Sequence, residues 1–350
     1  MDAWFAQGGL GRSRHTRQTS AASPATAGTG SRAARPAPAA SRRLRSASPL
    51  ILQVPAWSRY PWLVHGFSTR AGGLSTAYSP DGRTGELNLT LTAGDSAANV
   101  RRNRQLFLQA IGAGAKATAS AKATASADSR LRLLLLRQIH SGLILAGTPA
   151  VAAVETQSLP RGDGWIVAQP SLLAGIQTAD CLPILVADVR QRIVAAFHAG
   201  WRGTLARIAE RGVGRMRAEF ASRPEDLTAA VGPGIGVCCY PVGEEVRMEF
   251  ESQFAYSASL FREVFDLDPI KQKYPMLFLT ARAPGHSNLG PAMHLDLAEA
   301  NRRQLLDAGV RQAQLHVLGC CTACDTARFF SYRAEHGFTG RMMSAIGIRA

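Results

Sequence analysis

Four things are missing from this 350-residue chain, and each removes a class of function. No run of about 18 apolar residues occurs, so no segment has the length and polarity of a membrane-crossing helix. There is no Gly-x-x-x-x-Gly-Lys-Ser/Thr phosphate loop, so nucleotide binding of that kind is excluded. None of the eight histidines forms a His-X-His pair, whereas a multicopper cluster needs about ten histidines in such pairs. Acids are nearly absent from residues 1–49, where eight arginines face the single Asp2.

That last bias accounts for about half of the formal charge of +15. The remaining basic residues alternate with acids and apolar positions and form no aromatic-interleaved stripe, which argues against a nucleic-acid partner. Residues 1–49 are rich in Arg, Ser, Ala and Pro and lack an apolar signal core, the composition of a disordered organelle transit peptide. The expected compartment is chloroplast ahead of mitochondrion, with cytoplasm the alternative. The folded part is expected over residues 50–350. A doubled Lys-Ala-Thr-Ala-Ser-Ala within residues 112–130 reads as a low-complexity surface insertion.

The six cysteines include two adjacent pairs, Cys238-Cys239 and Cys320-Cys321, and neighbouring cysteines rarely bridge each other, so a disulfide framework is not expected. Cys321 and Cys324 have the spacing of a metal or redox pair. No second pair of that spacing completes a four-cysteine site, so a turn of small side chains is the better reading. Cys238 and Cys239 read as packing.

The stretch that organises the chain is 176–204. Two apolar runs, 182–187 and 193–197, flank a polar turn and predict two antiparallel strands. Cys181 stands just before the first and His198 just after the second, so pairing brings both to one rim of the sheet. His140, at the end of an expected strand over 131–139, is a third candidate for the same place. Separations of 41 and 17 residues match no compact metal signature. The residues alone therefore leave three readings open: metal ligands, a cysteine nucleophile with its base, or a buried cysteine and two satisfied histidines.

Ala199-Gly200-Trp201-Arg202-Gly203-Thr204 opens onto a helix expected over 204–220 and is a candidate anion loop. Arg70 ends an expected strand over 63–70, before a break at 71–73, and a glycine-bracketed Asp163 precedes another apolar run.

Six phrases occur in order: Thr-Arg-Ala-Gly-Gly at 69–73, Arg-Gln-Ile-His at 137–140, Thr-Ala-Asp-Cys-Leu-Pro at 178–183, His-Ala-Gly-Trp-Arg-Gly at 198–203, Gly-Pro-Gly-Ile-Gly at 232–236 and Phe-Ser-Tyr-Arg at 330–333. Together they resemble the laccase-domain family, also called multicopper polyphenol oxidoreductase-like, whose members are described as purine nucleoside phosphorylases. The resemblance runs from about residue 60 to the C-terminus. It implies a single α/β domain, a four-layer α-β-β-α sandwich with two mixed sheets. It also implies a zinc ion on His140, Cys181 and His198, with copper the alternative. Arg70, Asn88, Asp163 and Arg202 match polar positions lining the family's pocket; of these, Asp163 and Arg202, together with Cys181, are the expected catalytic residues, and Arg70, Asn88 and Arg202 the expected substrate contacts. Asp180 is the alternative to Asp163 for moving a proton. One departure is Ser141, which stands where the family usually has a glycine.

The implied reactions are phosphorolysis of adenosine, inosine, guanosine and S-methyl-5'-thioadenosine to free base and ribose 1-phosphate, and deamination of adenosine. The expected partners are thus purine nucleosides and phosphate. Phenol oxidation with copper, amide hydrolysis by Cys181 with His198 as base, and a non-catalytic binding module are the competing expectations.

Overall fold

Strand β1 (Ile51–Leu52), β2 (Leu63–Ser68) and β3 (Ala71–Ser75) precede helix α1 (Ala97–Gly112). β4 (Arg132–Leu134), β5 (Ile144–Ala146), β6 (Gly164–Val167), β7 (Leu172–Thr178), β8 (Leu182–Asp188) and β9 (Ile193–Ala199) follow, then α2 (Trp201–Leu205), α3 (Ile208–Phe220), β10 (Leu227–Val231) and α4 (Glu244–Gln253). β11 (Phe261–Val264), β12 (Ala292–Leu295), α5 (Leu297–Asp307), β13 (Leu315–Val317) and β14 (Met342–Ile348) complete the order. The computed structural model describes residues 48–82, 84–112, 132–150, 158–264 and 292–349, all within one unit, Arg45–Ala350.

Two mixed sheets carry the fold: a five-stranded one in the order β1-β2-β14-β7-β4 and a six-stranded one in the order β13-β10-β8-β9-β6-β5. β8 and β9 pair antiparallel with Leu182 opposite Ala199 and Pro183 opposite His198, as the two apolar runs predict. Both strands are buried throughout, and their side chains divide by parity, as a period of two requires. Ile184, Val186, Ala195 and Phe197 join the core beneath α3 and α5. Leu185, Ala187, Val194 and Ala196 join a second core with Phe67, Leu172, Ala174, Ile176 and Ile346 of the other sheet. The two sheets therefore share one apolar interior, and full burial of each such Leu, Ile or Phe contributes about 1.5–3 kcal/mol. A third core forms where α1 presents Phe107 and Ile111 to Val64, Leu173 and Met343.

Local signals explain the helix ends. Ser96 Oγ accepts from Asn99 N–H at 3.1 Å to start α1, and Asp296 Oδ1 accepts from Glu299 N–H at 2.9 Å to start α5.

Three expectations need correction. The helix expected over 204–220 is two helices, because Arg207 takes a left-handed conformation with φ 56° between α2 and α3. The strand expected over 63–70 does break, but at 69–70; residues 71–73 begin β3, bridged to Glu86. Among the described residues of the apolar stretch 131–139, the strand covers 132–134 alone. The reading of residues 1–49 as a transit peptide falls outside the described residues for 1–47, and that of the insertion for 113–130.

Candidate metal centre

His198 is the penultimate residue of β9 and shares parity with Val194 and Ala196, so it belongs to the face turned toward the other sheet. At the strand's end the apolar filling stops and a cavity of about 610 Å³ opens, lined by His140, Cys181 and His198 among others. The donor atoms of these three residues all lie within 4.8 Å of one another, and the two imidazole rings meet edge-on with centroids 4.8 Å apart. His140 is exposed, Cys181 partly so, and His198 buried.

One carboxylate organises the trio. Asp163, fully buried at the start of β6, accepts from His140 N–H at 2.9 Å, Ile139 N–H at 3.1 Å, Ser141 N–H at 2.6 Å, Ser141 Oγ at 2.7 Å and His198 Nδ1 at 2.9 Å. It thereby holds the loop at 139–141, including His140 at φ 59°. Burial alone would raise the Asp163 carboxyl, but the bonds from His198 and Ser141 hold it down at about 2. An ionised Asp163 only accepts, so the proton it shares with His198 sits on Nδ1 and His198 Nε2 is left for a ligand. Two imidazoles and a thiolate around one point are a donor set for a zinc-type ion with one position open.

Gly200 is required by close approach rather than by backbone freedom. A Cβ there would come within 2.8 Å of Cys181 Sγ and 3.4 Å of His140 Cδ2, so any side chain displaces the thiol.

The electrostatics favour the charged thiol. Burial would raise Cys181, yet the neighbouring His198 and His140 draw it down to about 6. His198 would be lowered by burial, but the Cys181 thiolate and Asp163 bring it up to about 9.

Of the two carboxylates expected to move a proton, Asp163 is committed to these bonds. Five hydrogen bonds exceed the roughly four lone-pair positions of a carboxylate, and its residue does not line the cavity. Asp180 does line it, at φ 91°. Its Oδ1 accepts from Thr322 Oγ1 and Ser331 Oγ at 2.7 Å each, and its Oδ2 from Arg333 N–H at 2.7 Å, which leaves about one acceptor position.

The other expected contacts also lie elsewhere. Arg70 is buried and pairs with Glu86 at 2.7 Å and Glu335 at 3.0 Å, with further bonds to the Thr326 and Tyr78 carbonyls. Asn88, fully buried, binds Asp95 and the Arg341 N–H. Arg202 is exposed and stacks on its neighbour Trp201 at 4.3 Å. None of the three lines the cavity, and α2, at five residues, is too short to serve as an anion-binding helix.

The cavity's charged wall comes instead from Arg333 and Arg341, which lie over the rings of Tyr240 at 5.6 Å and Tyr332 at 5.4 Å. The phrase Phe-Ser-Tyr-Arg held the signal for Tyr332 and Arg333; nothing in the spacing pointed to Arg341 or Tyr240.

Asp163→Asn tests the support. An amide offers donors where three backbone N–H groups and an imidazole already donate, so metal affinity should fall about 10–100-fold. Chelator competition measures this, and unchanged affinity would contradict the role.

Residues 64–349 match the family described as multi-copper polyphenol oxidoreductase laccase. A curated protein of Bacteroides thetaiotaomicron called purine nucleoside phosphorylase is 32% identical over 295 residues, covering 83% of this chain and 93% of that protein. Adenosine deaminase RL5, from an unknown prokaryotic organism, is 32% identical over 218 residues, covering 61% of this chain and 74% of its own. The crystal structure of the hypothetical protein YfiH of Bacillus licheniformis superimposes with a TM-score of 0.67 at 28% identity, covering 87% of this chain and 97% of that one.

Proposed function

We propose, from the premise that this chain belongs to the multi-copper polyphenol oxidoreductase laccase family, that it is a zinc-dependent purine nucleoside phosphorylase that also deaminates adenosine. The observation that carries the reading is the meeting, in one cavity of about 610 Å³, of the His140, Cys181 and His198 donors with Arg333, Arg341, Tyr240 and Tyr332. That volume suits a nucleoside with an anion beside it. The relatives called purine nucleoside phosphorylase and adenosine deaminase support the two reactions. The same reading takes α1, the two sheets and the helices α3 and α5 as the layers of an α-β-β-α sandwich.

Each protein group has a role that its chemistry allows. Tyr240 and Tyr332 offer flat faces for a purine. Burial, with the Cys181 charge behind it, pushes the Tyr240 phenol up to about 12, so it stays a hydrogen-bond donor. Among the described residues neither Arg333 nor Arg341 pairs with a carboxylate; their bonds run to the Pro241, Thr339 and Gly340 carbonyls. Their charge is therefore available to phosphate. In phosphorolysis a phosphate oxygen bonds to the ribose C1′ as the bond from C1′ to N9 breaks. The purine takes that electron pair and needs a proton, which the attacking hydrogen phosphate gives up and Asp180, with about one acceptor position left, relays. A zinc ion on the three donors would supply a Lewis acid able to lower the pKa of water toward neutrality, the requirement for hydrolytic loss of ammonia at C6.

Incubation of the zinc-loaded protein with adenosine and phosphate should yield adenine with ribose 1-phosphate, and inosine. Neither product, with zinc bound, would contradict the proposal. Arg341→Ala should raise the KM for phosphate about 10–100-fold with little change in stability, since the bond that Asn88 Oδ1 accepts comes from the Arg341 backbone N–H. A phosphate KM within a factor of two of the parent would remove Arg341 from the anion site.

Metal uptake should release protons. Between about pH 6 and 9 the metal-free protein holds Cys181 as thiolate and His198 as imidazolium, so one proton, from His198, must leave per ion. Below about pH 6 a second leaves from Cys181, so affinity falls as pH falls and does so more steeply there. Calorimetry at pH 7.5 in buffers of different ionisation enthalpy should therefore count about one proton.

Two other readings have an observation behind them. Copper suits imidazole and thiolate too, and copper at stoichiometric level with oxygen uptake on a phenol would favour it. The Cys181 thiolate beside His198 is also a nucleophile and base; trapping of Cys181 by an electrophile in metal-free protein that turns over amides would favour hydrolysis.

A further inference from the structure

A second cluster of thiols lies apart from the three donors described above. Cys238 and Cys239 occupy the loop after β10, and Cys321 and Cys324 the loop after β13. β10 and β13 are parallel neighbours at one edge of the six-stranded sheet, so both loops leave it on the same side. Backbone bonds clasp them together: Gly234 N–H donates to the Cys320 carbonyl at 3.2 Å, and Thr322 N–H to the Gly234 carbonyl at 3.0 Å. Cys238 Sγ and Cys239 Sγ each lie 3.3 Å from Cys324 Sγ, and all four sulfurs are within 4.8 Å of one another. Cys238 and Cys239, which the sequence suggested were packing residues, supply the second pair that Cys321 and Cys324 lacked.

We infer that Cys238, Cys239, Cys321 and Cys324 bind a zinc ion as a closed tetrathiolate site that clasps the two loops forming one wall of the cavity. Sulfurs at about 2.3 Å from a tetrahedral zinc stand about 3.8 Å apart, within the spread seen here. A disulfide fits less well, because Cys324 is equally close to two sulfurs, whereas a bond at about 2.0 Å engages one. The surroundings suit a bound thiolate: Gly236 N–H donates to Cys321 Sγ at 3.2 Å. A Cβ at Gly236 would sit 3.2 Å from both Cys238 Sγ and Cys321 Cβ, a tight contact that the glycine avoids.

The consequence reaches the cavity through two contacts. Tyr240, which lines it, directly follows Cys239, and Thr322, between Cys321 and Cys324, donates to Asp180 at 2.7 Å. Four ligands close the coordination sphere, so this ion holds structure and binds no substrate.

The full-length protein, purified with reductant and without chelator, should carry about two zinc ions per chain, falling to about one in Cys321→Ser/Cys324→Ser. A parent with about one ion per chain and no loss in the double variant overturns the inference. Cobalt loading of Cys181→Ser decides the matter without disturbing the cluster. That variant has lost the thiolate of the first site, so a strong near-ultraviolet thiolate-to-cobalt band supports the inference and its absence overturns it. A metal-free, freshly purified parent whose thiol count falls two short and is restored by reductant would show a disulfide instead, and also overturns it.

Discussion

Cys181→Ala is expected to lower adenosine phosphorolysis about a thousandfold or more and to strip the adjoining histidines of their metal, while the circular dichroism spectrum stays that of the parent. Two imidazoles without the thiolate are a weak site, and only a small side chain is lost, from a position where Gly200 leaves room beside it. The same variant separates the competing accounts. A binding module that used the surrounding surface would keep its function without Cys181, so activity within tenfold of the parent would remove the metal centre from the mechanism. An unchanged metal content at this site would place the ion on other residues.

Arg70→Ala should cost about 3–5 kcal/mol of stability, because Glu86 and Glu335 would lose the guanidinium that neutralises them. Burial already raises the Glu86 carboxyl, with Arg70 holding it back, so removing Arg70 leaves a charge that the interior disfavours. Arg70 also covers the Phe330 ring at 4.6 Å, which ties the stretch after β2 to the loop that carries Tyr332 and Arg333. Urea unfolding measures the loss. A variant as stable as the parent but with a raised KM for phosphate would restore Arg70 to the anion site that the motif suggested.

The contrast between these two residues shows where the sequence could be read and where it could not. Cys181 and His198 were legible because strand pairing is a short-range rule: two apolar runs and a polar turn fix a hairpin, and the residues flanking the runs must share a rim. His140 followed because it also ends an apolar stretch, although less of that stretch is strand than its composition suggests. Arg70 and Asp163 were visible as charged residues at strand boundaries, yet their roles depend on partners that spacing does not reveal. Glu335 lies 265 residues from Arg70, and His198 lies 35 residues from Asp163. A buried charge that finds several partners supports a site, while one that keeps positions free works in it. That difference was not available before the loops were placed.

The four-cysteine cluster was obscured for a related reason. Metal pairs are recognised by a two-residue gap, but Cys238 and Cys239 have none, and only the parallel register of β10 and β13 brings them to Cys321 and Cys324. The break between α2 and α3 was hidden by periodicity that continues across Arg207, whose left-handed backbone leaves no mark in the hydrophobic pattern.

The central claim, that His140, Cys181 and His198 close around one divalent ion, is tested most directly by anomalous diffraction on either side of the zinc edge. The account predicts a peak between His140, Cys181 and His198 within about 2.0–2.3 Å of each donor, lost above the edge wavelength. Crystals of zinc-loaded, active protein with no peak there would contradict it.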